Sequence, residues 1–97
     1  MAKLFNILIR PKGGVLRNQI EKKLDLGLDW IRYADGCYLI YSSKSATVWS
    51  ARLKPFVDPG GHLLIINTDP DQYAGWMPKN LWTWIEDKKK KIYGNSD

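Results

Sequence analysis

The spacing of apolar side chains changes along the chain, and each change predicts a new element. Residues 3–10 form a short run dense in apolar and β-branched residues, which is typical of a strand covered on both faces and therefore central in a sheet. Leu16, Ile20 and Leu24 then recur every fourth position, the spacing of one face of a helix. Gly27 follows and predicts the end of that helix.

The next segments predict a hairpin, a second helix and a fourth strand. Residues 29–33 and 37–42 have the composition of strands, and Ala34, Asp35 and Gly36 between them form a tight-turn signal. A second helix is predicted from N-cap serines and an apolar stripe, and Pro55 is expected to end it. These positions are Ser42, Ser43, Ser45, Ala46, Trp49 and Leu53. Residues 62–68 predict the fourth strand.

This order of elements predicts an α+β domain with the ferredoxin-like βαββαβ arrangement, an antiparallel sheet with two helices on one face. Pro78 suits a first helical turn, and Leu81, Trp84 and Ile85 give an additional C-terminal helix one apolar face. We therefore expect a single domain over residues 1–87. The lysine run Lys88–Lys91 and the residues after it predict a basic, solvated and frayed tail over 88–97.

Length and composition exclude several classes of protein. The chain has 97 residues, of which 44% are hydrophobic and 26% charged, the size and composition of one globular domain. Its apolar runs are far shorter than the roughly 20 residues of a membrane-spanning helix. The single cysteine, Cys37, excludes an intramolecular disulfide and a thiolate metal cluster. Met1 to Lys3 lead into a strand without a secretory signal, so we expect a cytoplasmic protein with no membrane partner.

The net charge of +5 is concentrated in one segment. Residues 1–24 contain six basic residues against Glu21, whereas the rest of the chain is close to neutral. A localised basic segment suits an anionic partner such as DNA or RNA. The alternative is that a charge of this size only keeps a small domain in solution.

The first strand is followed by a candidate anion-binding segment. Basic residues and two glycines precede the first helix, and the N terminus of a helix exposes unpaired N–H groups that attract anions. The candidate nucleic-acid or anion contacts are Arg10, Lys12, Gly13, Gly14, Arg17, Lys22, Lys23 and Arg32. The alternative is a plain strand-to-helix connector in which the glycines serve only the turn.

Aromatic residues form a second candidate surface. Rings on an open sheet face can stack on bases or contact a protein partner. The candidates for such an interaction are Trp30, Tyr33, Trp76 and Trp82. The favoured interpretation, however, is that the rings fill a small core and bury a dimer face, because aromatic residues dominate both.

Two segments together resemble a known family. One is the aromatic-rich hairpin at residues 30–40, followed by two serines and a helix that ends in Arg-Leu-Lys-Pro at 52–55. The other is the pattern Gly-Trp-hydrophobic-Pro-Lys-x-x-Trp-x-Trp-hydrophobic at residues 75–85. The combination resembles small bacterial and phage proteins called SinR-like. In these proteins it ends a ferredoxin-like domain related to the CRISPR-associated endoribonuclease-type adaptation subunit and to virulence-associated protein D.

The resemblance implies a two-fold homodimer and offers a test for catalysis. The nuclease relatives have an aspartate at the end of the first strand, where paired carboxylates of a dimer hold a metal ion. In this chain Arg10 stands at about that position, and its guanidinium would repel a divalent cation and attract a phosphate. We therefore expect no metal, no cofactor and no enzyme activity. Asp69 and Asp71 offer two further carboxylates, but an Asp-Pro turn explains them better.

Three functions follow from these observations. The leading hypothesis is a non-catalytic dimeric module that contacts nucleic-acid phosphates without strong sequence specificity. The alternative is a protein-interaction or inhibitor module, in a phage or genome-defence context, whose unidentified protein partner contacts the tryptophan-rich surface. A metal-dependent ribonuclease is the third, and Arg10 argues against it.

Overall fold

The computed structural model describes residues 1–94. It has four strands and three helices, in the order β1 (Lys3–Arg10), α1 (Arg17–Leu24), β2 (Asp29–Ala34), β3 (Cys37–Ser42), α2 (Ala46–Val57), β4 (His62–Thr68) and α3 (Lys79–Tyr93). The last three residues of the predicted tail, 95–97, lie outside the described part. No helix within residues 1–94 is long and apolar enough to cross a membrane.

The four strands form one antiparallel sheet in the order β2-β3-β1-β4. β1 is central, as its run dense in apolar and β-branched residues predicts. β1 and β2 run parallel with β3 between them, and α1 connects them. β3 and β4 run parallel with β1 between them, and α2 connects those two. The predicted α+β class is thus confirmed.

α1 and α2 pack side by side on one face of the sheet, as predicted. Alternate side chains of β1 point to this face, because successive residues of a strand face opposite sides. Trp49 and Leu53 of α2 are completely buried there, and Ile20 and Leu24 of α1 complete the contact. The spacing that predicted each helix is thus the spacing that buries it.

α3 lies on the opposite face and covers only part of it. Leu81 and Ile85 pack on Leu4 and Leu39, in a cluster that also takes in aromatic rings of β2 and β3. The half of this face formed by β1 and β4 stays open. Its open side chains, here called the open patch, are Leu8, Leu64 and Ile66, exposed by 37, 50 and 49%.

Two helix ends differ from their prediction. α2 continues past Pro55 to Val57. Proline removes one N–H from the helix, but Val57 is buried against the core, and this burial keeps the last turn helical. α3 continues to Tyr93, so the chain shows no break at residue 87. Lys88, predicted to be solvated, is only 3% exposed.

A candidate anion-binding groove

Three arginines converge on one concave surface between the end of β1, the start of α1 and the β2–β3 turn. Two adjoining depressions, of about 380 and 390 Å³, share Arg17 and Asp35 in their walls. Arg10 lines the first depression and Arg32 the second. We call this surface the arginine groove and define it by Arg10, Arg17, Arg32 and Asp35.

A glycine fixes the turn that carries Asp35. Gly36 has φ +72°, a conformation that side-chain-bearing residues rarely adopt. Its carbonyl oxygen accepts a hydrogen bond of 2.8 Å from the Ile9 N–H. A Cβ at position 36 would lie 2.6 Å from the Ile9 carbonyl oxygen. Only glycine lets the turn lie this close to β1, which places Asp35 beside the strand end.

A second close approach fixes the end of β1 that carries Arg10. Gly61 lies between α2 and β4, and a Cβ there would be 2.3 Å from the Arg10 carbonyl oxygen. Lys12 ties the same region together, because its N–H donates to the Phe56 carbonyl at 2.9 Å and its Nζ donates to the Asp58 carbonyl at 3.1 Å. The backbone that carries Arg10 is therefore held against the C-terminal end of α2.

Glu21 supplies a negative charge between two of the arginines. Its Oε2 lies 3.6 Å from Arg17 Nε and 3.7 Å from Arg32 Nη1, and it accepts a hydrogen bond of 2.8 Å from the Tyr38 hydroxyl. Burial, together with this hydrogen bond and the carboxylate charge, raises the pKa of Tyr38. The phenol thus stays protonated and donating. Arg10 forms no ion pair with a carboxylate of residues 1–94.

The structure brings together only some of the eight predicted contacts. Lys12 binds the last carbonyls of α2, where cations are favoured, and Lys22 and Lys23 lie in the last turn of α1. Lys22 is about 7.5 Å along the helix axis from Arg17.

The glycine loop that precedes α1 lies outside the arginine groove. Gly13 and Gly14 are exposed and are absent from the lining of both depressions. α1 begins only at Arg17, and the Leu16 N–H already donates to Gln19 Oε1 at 2.7 Å. The groove is therefore lined by arginine side chains, and neither glycine contributes to its walls.

Three of the four aromatic interaction candidates are packed against other side chains. Trp30 meets the Tyr38 ring edge-on at a centroid distance of 5.7 Å. The Tyr33 hydroxyl donates to Asn6. Trp82 stacks on Tyr73 at 5.6 Å. Trp76 differs, since it is 98% exposed. The half-buried rings of Trp30, Tyr33 and Trp82 thus contact other side chains of the same chain, and Trp76 does not.

Sequence reasoning missed the polar cluster that fastens α3. Lys88 Nζ lies 2.7 Å from Asp29 Oδ2 and 2.8 Å from Asp87 Oδ2, above the Trp84 ring at 4.8 Å. Burial alone would lower the pKa of Lys88, but the two carboxylates outweigh it and raise the pKa. A lysine four positions after Trp84, on the same helical face, was the available signal.

The loop before α3 is fastened in the same way. Asp69 accepts a hydrogen bond from the Tyr93 hydroxyl, and Asp71 lies 3.1 Å from Lys89 Nζ. The hydrogen bond from Tyr93 lowers the pKa of Asp69. The two carboxylates therefore anchor the loop to α3. Within residues 1–94 no group of three or more metal-ligating side chains occurs.

Comparison with known proteins assigns no family. No family model matches the chain, and no solved structure matches it. The chain is similar to C-type lectin domain family 4 member E of Mus musculus, with 29% identity over 76 residues. The match covers 62% of this chain and 35% of that protein. The chain therefore spans about a third of that relative's length, and the match does not show a family.

Proposed function

We propose that the chain is a small, non-catalytic module that binds nucleic-acid phosphates through the arginine groove. The observation that carries this proposal is the convergence of Arg10, Arg17 and Arg32, from three separate elements, on one concave surface. Guanidinium groups bind phosphate oxygens in bidentate geometry. Phosphate contacts do not distinguish bases, so little sequence specificity is expected.

Glu21 tunes the strength of this binding. Its carboxylate lies near Arg17 and Arg32 and offsets part of their charge. A phosphate that approaches these arginines must compete with an anion already present. Moderate affinity with a marked salt dependence is therefore expected.

We extend the proposal to fold, family and compartment. The element order and the two crossovers through α1 and α2 support the ferredoxin-like βαββαβ topology, with α3 as the additional helix. The motif at residues 75–85 supports a relation to SinR-like proteins. Arg10 at the end of β1 supports the absence of the nuclease relatives' metal chemistry. A single cysteine is consistent with a reducing, cytoplasmic compartment.

A homodimer is part of the same proposal. β4 is an edge strand without a charged side chain, whereas the other edge strand, β2, carries Asp29 and Arg32. Uncharged edges tend to pair with another strand, and the open patch adjoins β4. We expect Leu64→Lys to convert a dimer to a monomer in light scattering. If light scattering gives the molar mass of a monomer for the wild type both at high concentration and after 100-fold dilution, the dimer is excluded.

Trp76 favours one alternative function. A fully exposed tryptophan suits a contact with a protein partner, because such residues dominate binding hot spots. The alternative predicts that Trp76→Ala removes a protein partner while changes in the arginine groove do not.

The decisive experiment measures fluorescence anisotropy of labelled single-stranded RNA and DNA at several salt concentrations. Because each phosphate contact contributes about 0.7 to the salt slope of a single strand, the double variant Arg17→Ala/Arg32→Ala should lower that slope by about 1.4. The matched control is Lys90→Ala/Lys91→Ala, which removes the same charge from exposed positions of α3. Equal losses in the two double variants would show that only net charge matters, and would contradict the proposal.

A charge-removing variant tests the role of Glu21. Glu21→Gln should raise the affinity about two- to tenfold, because both arginines lose their internal counter-charge. Its control, Glu86→Gln on the opposite sheet face, should leave the affinity within about twofold of the wild type, since a distant charge is screened. A Glu21→Gln affinity no higher than that of Glu86→Gln would show that Glu21 does not compete with phosphate.

A further inference from the structure

We propose that the first depression of the arginine groove is a pocket for one ribonucleotide unit, with Asp35 as the acceptor for its sugar hydroxyls. This inference rests on the proposed phosphate binding and names the ligand class of the same site. It accounts for features that phosphate binding alone leaves unexplained, namely a carboxylate and an apolar wall beside the arginines.

The depression has the size and lining of a small-molecule site. Its volume of about 380 Å³ lies within the range of about 300–1,000 Å³ typical of ligand pockets. Its apolar lining is the half-buried Val15 with the edges of the buried Ile9 and Ile20, while Arg10 and Arg17 provide cations. A nucleotide combines these properties, since its base is flat and apolar on both faces and its phosphate is anionic.

Charge places the phosphate near Arg10. Arg17 has Glu21 at 3.6 Å, whereas Arg10 has no carboxylate partner in residues 1–94. Arg10 is therefore the cation of this depression whose charge is not offset, and the side chain of Arg17 is 62% exposed and can turn toward the same anion. A phosphate bound between the two guanidiniums gains charge-assisted hydrogen bonds.

Asp35 makes the site better suited to a phosphorylated sugar than to inorganic phosphate alone. It lines both depressions, and no ion pair or side-chain hydrogen bond to it occurs within residues 1–94. An unpartnered carboxylate repels an anion but accepts hydrogen bonds from hydroxyl groups. A ribose offers such donors, and its 2′-hydroxyl is the group that distinguishes RNA from DNA. The same chemistry is present in a free nucleoside monophosphate and in the phosphorylated end of an RNA strand.

The test compares four small probes on the full chain by titration calorimetry and by backbone NMR. The probes are adenosine 5′-monophosphate, its 2′-deoxy analogue, adenosine and inorganic phosphate. We expect the ribonucleotide to bind about five- to tenfold more tightly than the deoxy analogue. It should also shift the resonances of Ile9, Arg17 and Gly36. Equal affinity for the ribo and deoxy forms, or for the ribonucleotide and inorganic phosphate, would overturn the inference.

The variant Asp35→Ala tests whether Asp35 recognises the 2′-hydroxyl of the ribose, with folding checked separately. The variant should bring the ratio of ribonucleotide to deoxyribonucleotide affinity to about one, while affinity for the deoxy form stays the same or rises because a negative charge is removed. Glu86→Gln, which removes a charge on the other sheet face, should keep the wild-type ratio. An unchanged ratio in Asp35→Ala would refute the assigned role, and an unchanged near-UV spectrum confirms that the variant is folded.

A last comparison distinguishes the two ligand sources and the two proposals. Tighter binding of a 5′-phosphorylated RNA 10-mer than of the same strand with a 5′-hydroxyl identifies a strand end as the ligand. Equal binding of the two strands, together with binding of the monophosphate, identifies the free nucleotide. Strand binding that depends on Arg17 and Arg32 without any monophosphate binding would overturn this inference and leave the proposed function intact. Loss of both would remove the proposed function as well.

Discussion

The two faces of the sheet are covered by different physical means. On the α1–α2 face, apolar side chains such as Ile7, Trp49 and Leu53 exclude water completely. On the other face, α3 buries a smaller apolar cluster and depends on Lys88 and its two carboxylates. The contrast shows two ways of attaching a helix to a sheet: extensive apolar burial for α1 and α2, and a smaller apolar contact combined with the Lys88–Asp29 ion pair for α3.

The largest expected effect comes from the apolar face. Trp49→Ala should lower the free energy of unfolding by about 3–5 kcal/mol, because it empties a fully buried site and leaves the Ser42 hydroxyl without the indole N–H that donates to it at 2.9 Å. Urea unfolding followed by circular dichroism measures the change. Trp49→Phe keeps most of the packing and should cost about 1–2 kcal/mol less than the alanine variant. A loss below about 1 kcal/mol in Trp49→Ala would contradict the central role of this face.

A smaller effect is expected from the buried lysine. Lys88→Ala should lower the free energy of unfolding by about 2–3 kcal/mol, because it leaves Asp29 without its main ion-pair partner and removes a buried side chain. The control, Lys90→Ala, changes an exposed lysine of the same helix and should cost less than about 0.5 kcal/mol. Equal effects of the two variants would mean that α3 is held by its apolar contacts alone.

The stability of the α3 attachment should depend on pH, because it includes the ion pair between Asp29 and Lys88. Burial alone would raise the pKa of Asp29, but hydrogen bonds and the charge of Lys88 lower it overall. A lowered carboxyl pKa stabilises the fold above the ordinary aspartate pKa of about 3.9, and this contribution disappears as the pH falls through the folded-state value. The raised pKa of Lys88 has the opposite sign, so its contribution is complete below about pH 10 and disappears above the folded-state value.

Attachment of α3 should accordingly be constant between about pH 5 and 9 and weaken beyond both ends. Tryptophan fluorescence during pH titration, compared between wild type and Lys88→Ala, measures it. An identical pH profile in the wild type and in Lys88→Ala would show that the Lys88–Asp29 ion pair does not hold α3.

The smallest effect is expected at the exposed tryptophan. Trp76→Ala should change the free energy of unfolding by less than about 0.5 kcal/mol, because the side chain is 98% exposed. Trp82→Ala, which removes the ring stacked on Tyr73, should cost more. A large loss in Trp76→Ala would show that this residue contributes to the attachment of α3.

Much of the fold could be predicted from local pattern. The bounds of β1, β3 and β4 agree with the segments rich in apolar and β-branched residues at 3–10, 37–42 and 62–68, because such residues favour the extended backbone of a strand. The end of α2 was wrong by two residues, since Pro55 was weighed without the burial of Val57. A proline in the sequence does not show whether the residues after it are buried in the folded protein.

The candidate site was predictable only in part. Arg10 and Arg17 follow from the basic segment before α1, and Arg32 from its place between aromatic residues. The side chain of Lys12, however, goes to the end of α2, 46 positions away. The position of Glu21 between Arg17 and Arg32 also depends on β2 lying beside α1. Both contacts join separate segments of the chain, so their proximity cannot be read from sequence spacing.

The sequence by itself determined the element order, the central place of β1 and the apolar faces of α1 and α2, because these follow from spacing within a few residues. Only the tertiary structure decided the role of each charged side chain. It buried Lys88 of a run of four lysines, turned Lys12 away from the groove and placed Glu21 between two arginines. The physical reason is that hydrophobic burial needs only an apolar surface to pack against, whereas a buried charge such as that of Lys88 needs a partner that the fold brings within a few ångströms.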